Sequence, residues 1–147
     1  MGTRPAKRGL LRVGALVAVA TALASCGGSD DPKPAPGVSD DQRAILSTVD
    51  SLQTASRQGD AARICNELFT QSLAQSIRRA SKHSCQAEVR DTLTSPDAQL
   101  SVSRKIAVKG NRASAIVREQ NGNASTVAFA KAGDRWRIER ITPLKSP

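Results

Sequence analysis

The residues best able to do chemistry in this chain are three cysteines and a single histidine: Cys26, Cys65, Cys85 and His83. Thiols and imidazoles can bind zinc or act as nucleophile and base, and a thiol can also accept a lipid or form a disulfide. Two cysteines and one histidine lack a fourth side-chain zinc ligand unless a carboxylate or water serves. A Ser-His-Asp triad lacks the usual Gly-x-Ser-x-Gly elbow here. We therefore predict no metal and no other cofactor, and expect structural or covalent roles for the thiols.

Cys26 follows a segment with the organisation of an export signal. Four basic residues and no acidic one accompany a twelve-residue apolar run, residues 13–24. The run is shorter than the roughly 20 residues of a membrane span and fits the h-region of a signal peptide. Leu23-Ala24-Ser25-Cys26 resembles the lipobox of bacterial lipoproteins: an aliphatic residue, two small residues, then cysteine. The resemblance implies a signal peptide at residues 1–25, a diacylglycerol on Cys26 and an anchor on the extracytoplasmic face of the cell membrane. The alternative is an ordinary signal with a chance cysteine.

Export also bears on the other two cysteines. An odd number of cysteines in an exported protein leaves one that needs another role. With Cys26 lipidated, Cys65 and Cys85 remain as a pair in an oxidising compartment, where disulfides form and persist. We therefore predict a Cys65–Cys85 disulfide, with a metal or catalytic thiol site as the alternative.

A tether and a folded domain follow the lipobox. Residues 26–38 are rich in glycine and proline and have no apolar period, which predicts a flexible tether. The domain is expected to span residues 39–143, and residues 144–147 form a short tail. Its first half is predicted to be four helices, because good N-cap residues precede each apolar run at helical spacing. The caps are Ser39 (in a capping box with Gln42), Asp60, Thr70 and Ser84, and Gly59 ends the first helix.

Beyond Pro96 the apolar period becomes that of a strand. Four strands are predicted, at about residues 100–108, 113–120, 125–131 and 136–141, with Asn121-Gly122 as the strongest hairpin turn. Helices followed by an antiparallel meander indicate the α+β class, in which helices cover one face of a curved four-stranded sheet.

Three stretches resemble the small NTF2-like domains of lipoproteins from high-GC Gram-positive bacteria. They are GDAARICNELF at residues 59–69, the cysteine twenty residues on in SKHSCQAEV, and the terminal KAGDRWRIERI. The resemblance covers about residues 40–142 and implies a cone, in which a bent sheet wraps a long helix and leaves a cavity. Proteins of this family bind small apolar molecules, catalyse isomerisation or hydration, or mediate interactions, so the fold does not choose a function.

Inward-facing strand residues are the candidate ligand contacts in that cavity. Arg104 and Arg140 share the parity of the apolar positions in their strands, so strict alternation points both inward. A guanidinium there can hold a ligand carboxylate in bidentate fashion. Trp136 and Phe129 face the same side and complete the candidate set. The alternative for Arg104 is a β-bulge, or a strand end at which the side chain reaches water.

Catalysis is not expected. His83 lies in a polar link between helices, where a solvated histidine is usual. Steroid-isomerase-like chemistry needs tyrosine or protonated-acid donors, and the chain has no tyrosine. We expect a non-catalytic, lipid-anchored binding module for a small apolar or acidic amphiphile. The alternatives are an interaction or structural envelope lipoprotein with a filled cone, and an isomerase- or hydratase-type enzyme.

Two further expectations concern surfaces. Nucleic acid is not an expected partner, because no basic run after residue 26 exceeds two residues and only three aromatic residues are present for stacking. On the outer face of the sheet, small or apolar side chains would allow a second sheet to approach and form a homodimer. They are Ala107, Ile116, Ala128 and Ala130.

Overall fold

The computed structural model describes residues 37–103 and 105–145, so Cys26, Arg104 and the predicted signal peptide lie outside the described residues. Residues 34–147 form a compact unit of their own. The described elements are α1 (Asp40–Gln58), α2 (Ala61–Arg63), a π-helical turn (Ile64–Leu68), α3 (Gln71–Ser81), α4 (Cys85–Thr92), β1 (Leu100–Val102), β2 (Ala107–Lys109), β3 (Arg112–Glu119), β4 (Ala124–Ala132) and β5 (Arg135–Pro143). The α+β class is confirmed.

The strands form one open antiparallel sheet in the order β1-β3-β4-β5, and β2 pairs with β3 beside β1. Buried and exposed positions alternate along β3, from buried Ala113 to buried Val117. The buried positions join one core with the helices, so the helices cover a single face of the sheet. All three aromatic residues, Phe69, Phe129 and Trp136, are buried in that core.

The first helix begins and ends where its sequence predicts. The Ser39 hydroxyl accepts from the Gln42 amide at 3.2 Å, and the Gln42 side chain accepts from the Ser39 amide at 2.9 Å. Gly59 ends the helix in the left-handed conformation, at φ 68°, which glycine adopts without a Cβ penalty. The buried face of α1 carries Ile45, Val49, Leu52 and Ala55.

The predicted second helix is wrong in length and type. Asp60 caps it as expected, but α-helical turns give way after Arg63 to the π-helical turn. The Phe69 amide donates to the Ile64 carbonyl at 2.9 Å, five residues back. Phe69 is extended and forms a parallel bridge to Ile138 of β5. The wide turn therefore ends the helix and lets the chain reach the edge of the sheet, a pairing that local sequence does not encode.

The sheet has five strands rather than the predicted four, because the first predicted strand is split. Val102 lies opposite Val117, whereas Ala107, five residues later, lies opposite Ser114, only three residues back along β3. Two extra residues are therefore accommodated between β1 and β2. Arg104 lies between β1 and β2 in the sequence and outside the described residues, so its inward direction stays a prediction.

A second irregularity overturns the inward direction predicted for Arg140. Phe129 of β4 faces Ile138 of β5, but the neighbouring Ala128 faces Arg140, so Glu139 is an extra residue in β5. A bulge of one residue moves every later side chain to the other face. Arg140 is consequently exposed on the outer face, and Ile141 takes the inward position.

Candidate functional site

A cleft of about 540 Å³ lies at the C-terminal end of α1, between that helix and the inner face of the sheet. Its floor is aliphatic and comes from α1, α4 and four strands. The floor residues are Leu52, Leu93, Leu100, Val117, Val127 and Ile141. Three of them, Leu52, Val117 and Val127, are also buried members of the core. The volume falls in the range of small-molecule sites, and the apolar floor suits a hydrocarbon-like group.

The rim of the cleft is polar and carries negative charge. It is formed by polar residues of the α4–β1 link, residues 93–99, and by the end of β3 with its hairpin turn, residues 119–121. Asp97 and Glu119 contribute two exposed carboxylates, and no lysine or arginine is among the described lining residues. The Glu119 carboxylate accepts a hydrogen bond from the Asn121 side chain at 2.9 Å. Within the described ranges, no salt bridge engages either carboxylate.

The last turns of α1 hold the α4–β1 link in place. The Ser56 hydroxyl donates to the Leu93 carbonyl, and the Ser56 carbonyl accepts from the Ser95 amide at 3.2 Å. Gln53 accepts from the Leu100 amide at 2.6 Å. These bonds satisfy backbone groups of the irregular α4–β1 link, so this part of the rim is attached to α1.

The structure does not bring the predicted ligand contacts together in this cleft. Trp136 and Phe129 face inward as predicted, but they are 3 % and 0 % exposed and fill the core instead of lining the cleft. Arg140 lies on the opposite face of the sheet, and Arg104 is outside the described residues. Sequence reasoning missed Asp97 and Glu119. The available signal was the parity of Glu119 with buried Val117, just before the Asn121-Gly122 turn.

The Cys65–Cys85 disulfide is confirmed. The sulfur atoms are bonded, with the two Cα atoms 6.1 Å apart. Cys65 lies in the π-helical turn and Cys85 is the first residue of α4. The bridge therefore fixes α4, whose C-terminal end supplies Thr92 and Leu93 to the cleft.

The remaining chemical groups do not converge on the cleft. His83 is exposed in the link between α3 and α4 and is absent from the lining. Across residues 37–103 and 105–145, no group of three or more histidine, cysteine, aspartate or glutamate residues is placed to hold a metal ion. In that same part of the chain, no helix has the length and apolarity that crossing a membrane requires.

A second polar cluster joins the N-terminal end of α1 to the sheet. Asp41 accepts hydrogen bonds from Lys131 Nζ at 2.8 Å and from Trp136 Nε1 at 3.0 Å. The Lys131 ammonium also lies 5.8 Å from the centre of the indole ring, within reach of a cation–π interaction. The hydrogen bond from Lys131, with that from Trp136, lowers the pKa of Asp41, and the bond to Asp41 raises the pKa of Lys131. All three residues already have partners, so the cluster is a structural contact between helix and sheet.

No protein-family model, curated protein or solved structure matches this chain.

Proposed function

We propose that this protein is a lipid-anchored, extracytoplasmic binding module without catalytic activity. Its cleft takes a small amphiphile whose polar end is neutral or cationic. In this proposal Cys26 carries the lipid, residues 27–38 are the tether, and the domain is an NTF2-like cone with α1 along its inner face. The main support for this proposal is the cleft at the C-terminal end of α1.

The composition of the cleft defines the ligand. Aliphatic side chains form the floor, which favours burial of an apolar group at about 25 cal/mol per Å². Asp97 and Glu119 lie on the rim, and the described lining of the cleft has no lysine or arginine. Arg57 lies beside the rim, where it donates to the Ala98 carbonyl and lines a smaller adjoining pocket with Glu119, but it forms no salt bridge to either carboxylate among the described residues. An acidic head group would be repelled there, whereas an ammonium or a hydroxyl-rich head group would find hydrogen-bond acceptors. The acidic ligand expected from Arg104 is thus disfavoured by the described lining.

The two alternative functions have less support. A filled cone was the expectation for a pure interaction protein, and the cleft leaves room for a ligand instead. An isomerase or hydratase needs a buried acid or base with converging donors. Asp97 and Glu119 are exposed, and His83 lies elsewhere.

The Cys65–Cys85 bridge supports an oxidising compartment, because disulfides are rare in reducing cytosol. The anchor itself is tested by the intact mass of the mature protein from its native host. We expect a chain that starts at Cys26 and carries the added mass of a diacylglycerol. An unmodified thiol, or a chain that retains residues 1–25, would contradict the anchor and leave the cleft unaffected.

Ligand class is tested by thermal unfolding of residues 34–147, which contain the whole described core. Three probes with the same twelve-carbon tail are compared below their micellar concentrations: an alkyltrimethylammonium, an alkyl maltoside and an alkyl sulfate. We expect the first two to raise the melting temperature and the sulfate not to. At one hundred times Kd the stabilisation is about 2.7 kcal/mol, or roughly 10 °C for a domain of this size.

Charge variants locate the binding site. Asp97→Asn combined with Glu119→Gln should weaken the response to the ammonium probe and leave the maltoside response unchanged. Glu67→Gln with Glu88→Gln removes the same charge outside the cleft and serves as the control. A larger response to the sulfate than to the ammonium probe, or no response to any of the three, overturns the proposed ligand class.

A further inference from the structure

The outer face of the sheet, the one turned away from the helices, is strongly basic. The strand positions that alternate with buried residues point to this face, and six of them are lysine or arginine. Among the described strand positions, the single carboxylate on this face belongs to Glu139, at the bulge in β5. The six cations are Lys109, Arg112, Arg118, Arg135, Arg137 and Arg140.

Strand pairing places most of these cations side by side. Lys109 lies opposite Arg112, Arg112 opposite Ala130, and Ala130 opposite Arg137, so three cations share one row across four strands. With strands about 4.8 Å apart, the row is roughly 14 Å long. Arg140 lies opposite Ala128 in the next row. No two of these cations are adjacent in sequence, which is why the sequence shows no basic run.

Little in the described structure neutralises this face. Glu139 lies 3.2 Å from Arg112, and the Arg112 side chain is still 74 % exposed. Arg137 donates to the Asn66 carbonyl at 3.4 Å, which leaves its charge uncompensated. No other salt bridge involves a cation of this face among the described residues. Small side chains lie between the cations, namely Ser114, Thr126, Ala128 and Ala130.

The chemistry of the face selects its partner. Cations without an interleaved aromatic residue match phosphate groups and lack the aromatic platforms on which successive nucleobases stack. A broad surface of spread charges suits an array of anionic head groups, each cation near such a surface contributing to attraction. The same charge opposes the predicted homodimer, since a twofold interface through Ala107, Ile116, Ala128 and Ala130 would bring the face against its own copy.

We propose that the outer face of the sheet lies against the anionic phospholipid surface of the membrane. The inference goes beyond the proposed ligand cleft and does not require it. The proposed anchor would bring the face to the bilayer, because a tether of twelve residues in polyproline geometry reaches roughly 35 Å. Six cations then hold the domain flat on the lipid, instead of letting it move freely at the end of the tether.

The test uses residues 34–147, which lack Cys26 and so bind vesicles only through the domain. Co-sedimentation is measured with vesicles of pure phosphatidylcholine and of phosphatidylcholine with 30 mol% phosphatidylglycerol. We expect binding to the anionic vesicles alone, with loss of binding between 0.1 and 0.5 M salt as the charges are screened. Arg112→Gln with Arg140→Gln should weaken it roughly thirtyfold, at about fivefold for each exposed cation.

Arg78→Gln with Arg79→Gln is the matched control, because it removes two exposed cations from α3 and gives the same net charge. The control should change binding less than threefold. Equal losses in the two pairs would show that net charge alone acts and would overturn the proposal. So would equal binding to neutral vesicles, or no binding to anionic ones. Binding to a single-stranded RNA homopolymer without vesicle binding would also overturn it and point to nucleic acid.

Discussion

The two ends of α1 differ in how they meet the sheet. At the N-terminal end, Asp41 bonds to Lys131 and Trp136, and the Thr48 hydroxyl donates to the Trp136 carbonyl at 3.0 Å. At the C-terminal end, Leu52 and Ser56 line an open cleft of about 540 Å³. One helix and one sheet thus enclose a filled interior at one end and a cavity at the other.

The positions of the large side chains explain the difference. Successive inward residues of β4 run from Lys131 through Phe129 to Val127 and Ser125, so the side chains shrink toward the cleft. The chain has only three aromatic residues, and all of them are buried in the core outside the cleft lining. A core with few aromatic residues can be filled completely at one end and stay open at the other. The cleft is therefore a consequence of where the large side chains lie.

Truncation of Phe129 is the largest expected effect and tests this comparison directly. Phe129 is fully buried, so Phe129→Ala leaves an internal cavity and should lower the free energy of unfolding by about 3–5 kcal/mol. Val127→Ala is the partner variant two residues away on the same face. Because Val127 borders the cleft, its truncation should cost only about 1 kcal/mol. Urea unfolding measures both changes, and a loss of about 2.5 kcal/mol or more for Val127→Ala would mean that the cleft end is packed as tightly as the rest of the core.

Removal of the disulfide is the next largest expected effect, and it concerns the cleft at the C-terminal end of α1. The double variant Cys65→Ala with Cys85→Ala should lose about 3 kcal/mol, because the bridge closes a loop of about twenty residues in the unfolded chain. The loosened α4 should also weaken binding of the ammonium probe, since this helix supplies Leu93 to the floor. Reduction of the unmodified domain should reproduce both effects. A domain that keeps its stability when reduced would contradict the structural role of the bridge.

Local chemistry predicted much of the fold. Ser39 with Gln42, Asp60, Thr70 and Ser84 cap helices as their residue types require, and each of these caps is present. The cysteine pair followed from the number of cysteines and from the oxidising compartment that the predicted export signal implies. These features depend on neighbours in sequence, or on a composition that leaves few choices.

The misses share one physical cause, which is pairing between distant segments. The extra residue at Glu139 exists only in the register between β4 and β5, yet it moves Arg140 out of the interior and Ile141 into it. The split between β1 and β2 arises in the same way from pairing with β3. Alternation within a single strand carries no information about such shifts, so the predicted strand count and the predicted inward direction of Arg140 were wrong. The basic outer face was missed because strand pairing assembles it.

The smallest expected effect concerns the cluster of Asp41, Lys131 and Trp136 at the N-terminal end of α1. It is measured as the pH dependence of the free energy of unfolding. Asp41 has a lowered pKa in the folded state because it accepts hydrogen bonds from Lys131 and Trp136. Its contribution to stability is therefore present above its ordinary pKa of 3.8 and is lost as the pH falls through the lower folded value. Lys131 has a raised pKa, so its contribution is present below 10.5 and is lost as the pH rises through the higher folded value.

Asp41→Asn should consequently destabilise the domain most between about pH 5 and 9, and the difference from the unmodified domain should shrink toward pH 2.5 and toward pH 11. The side chains of Asp41 and Lys131 are 36 % and 32 % exposed, so solvent screens the pair and keeps the effect small. Asp50→Asn changes an exposed carboxylate on the same helix and is the control. Urea unfolding at about pH 2.5, at one pH between about 5 and 9, and at about pH 11 measures the free energy of unfolding of both variants. If Asp41→Asn lowers the free energy of unfolding by the same amount across this range, the contact depends on shape and hydrogen bonding instead of charge. The N-terminal end of α1 would then be held to the sheet by the packing and the hydrogen bonds of Trp136.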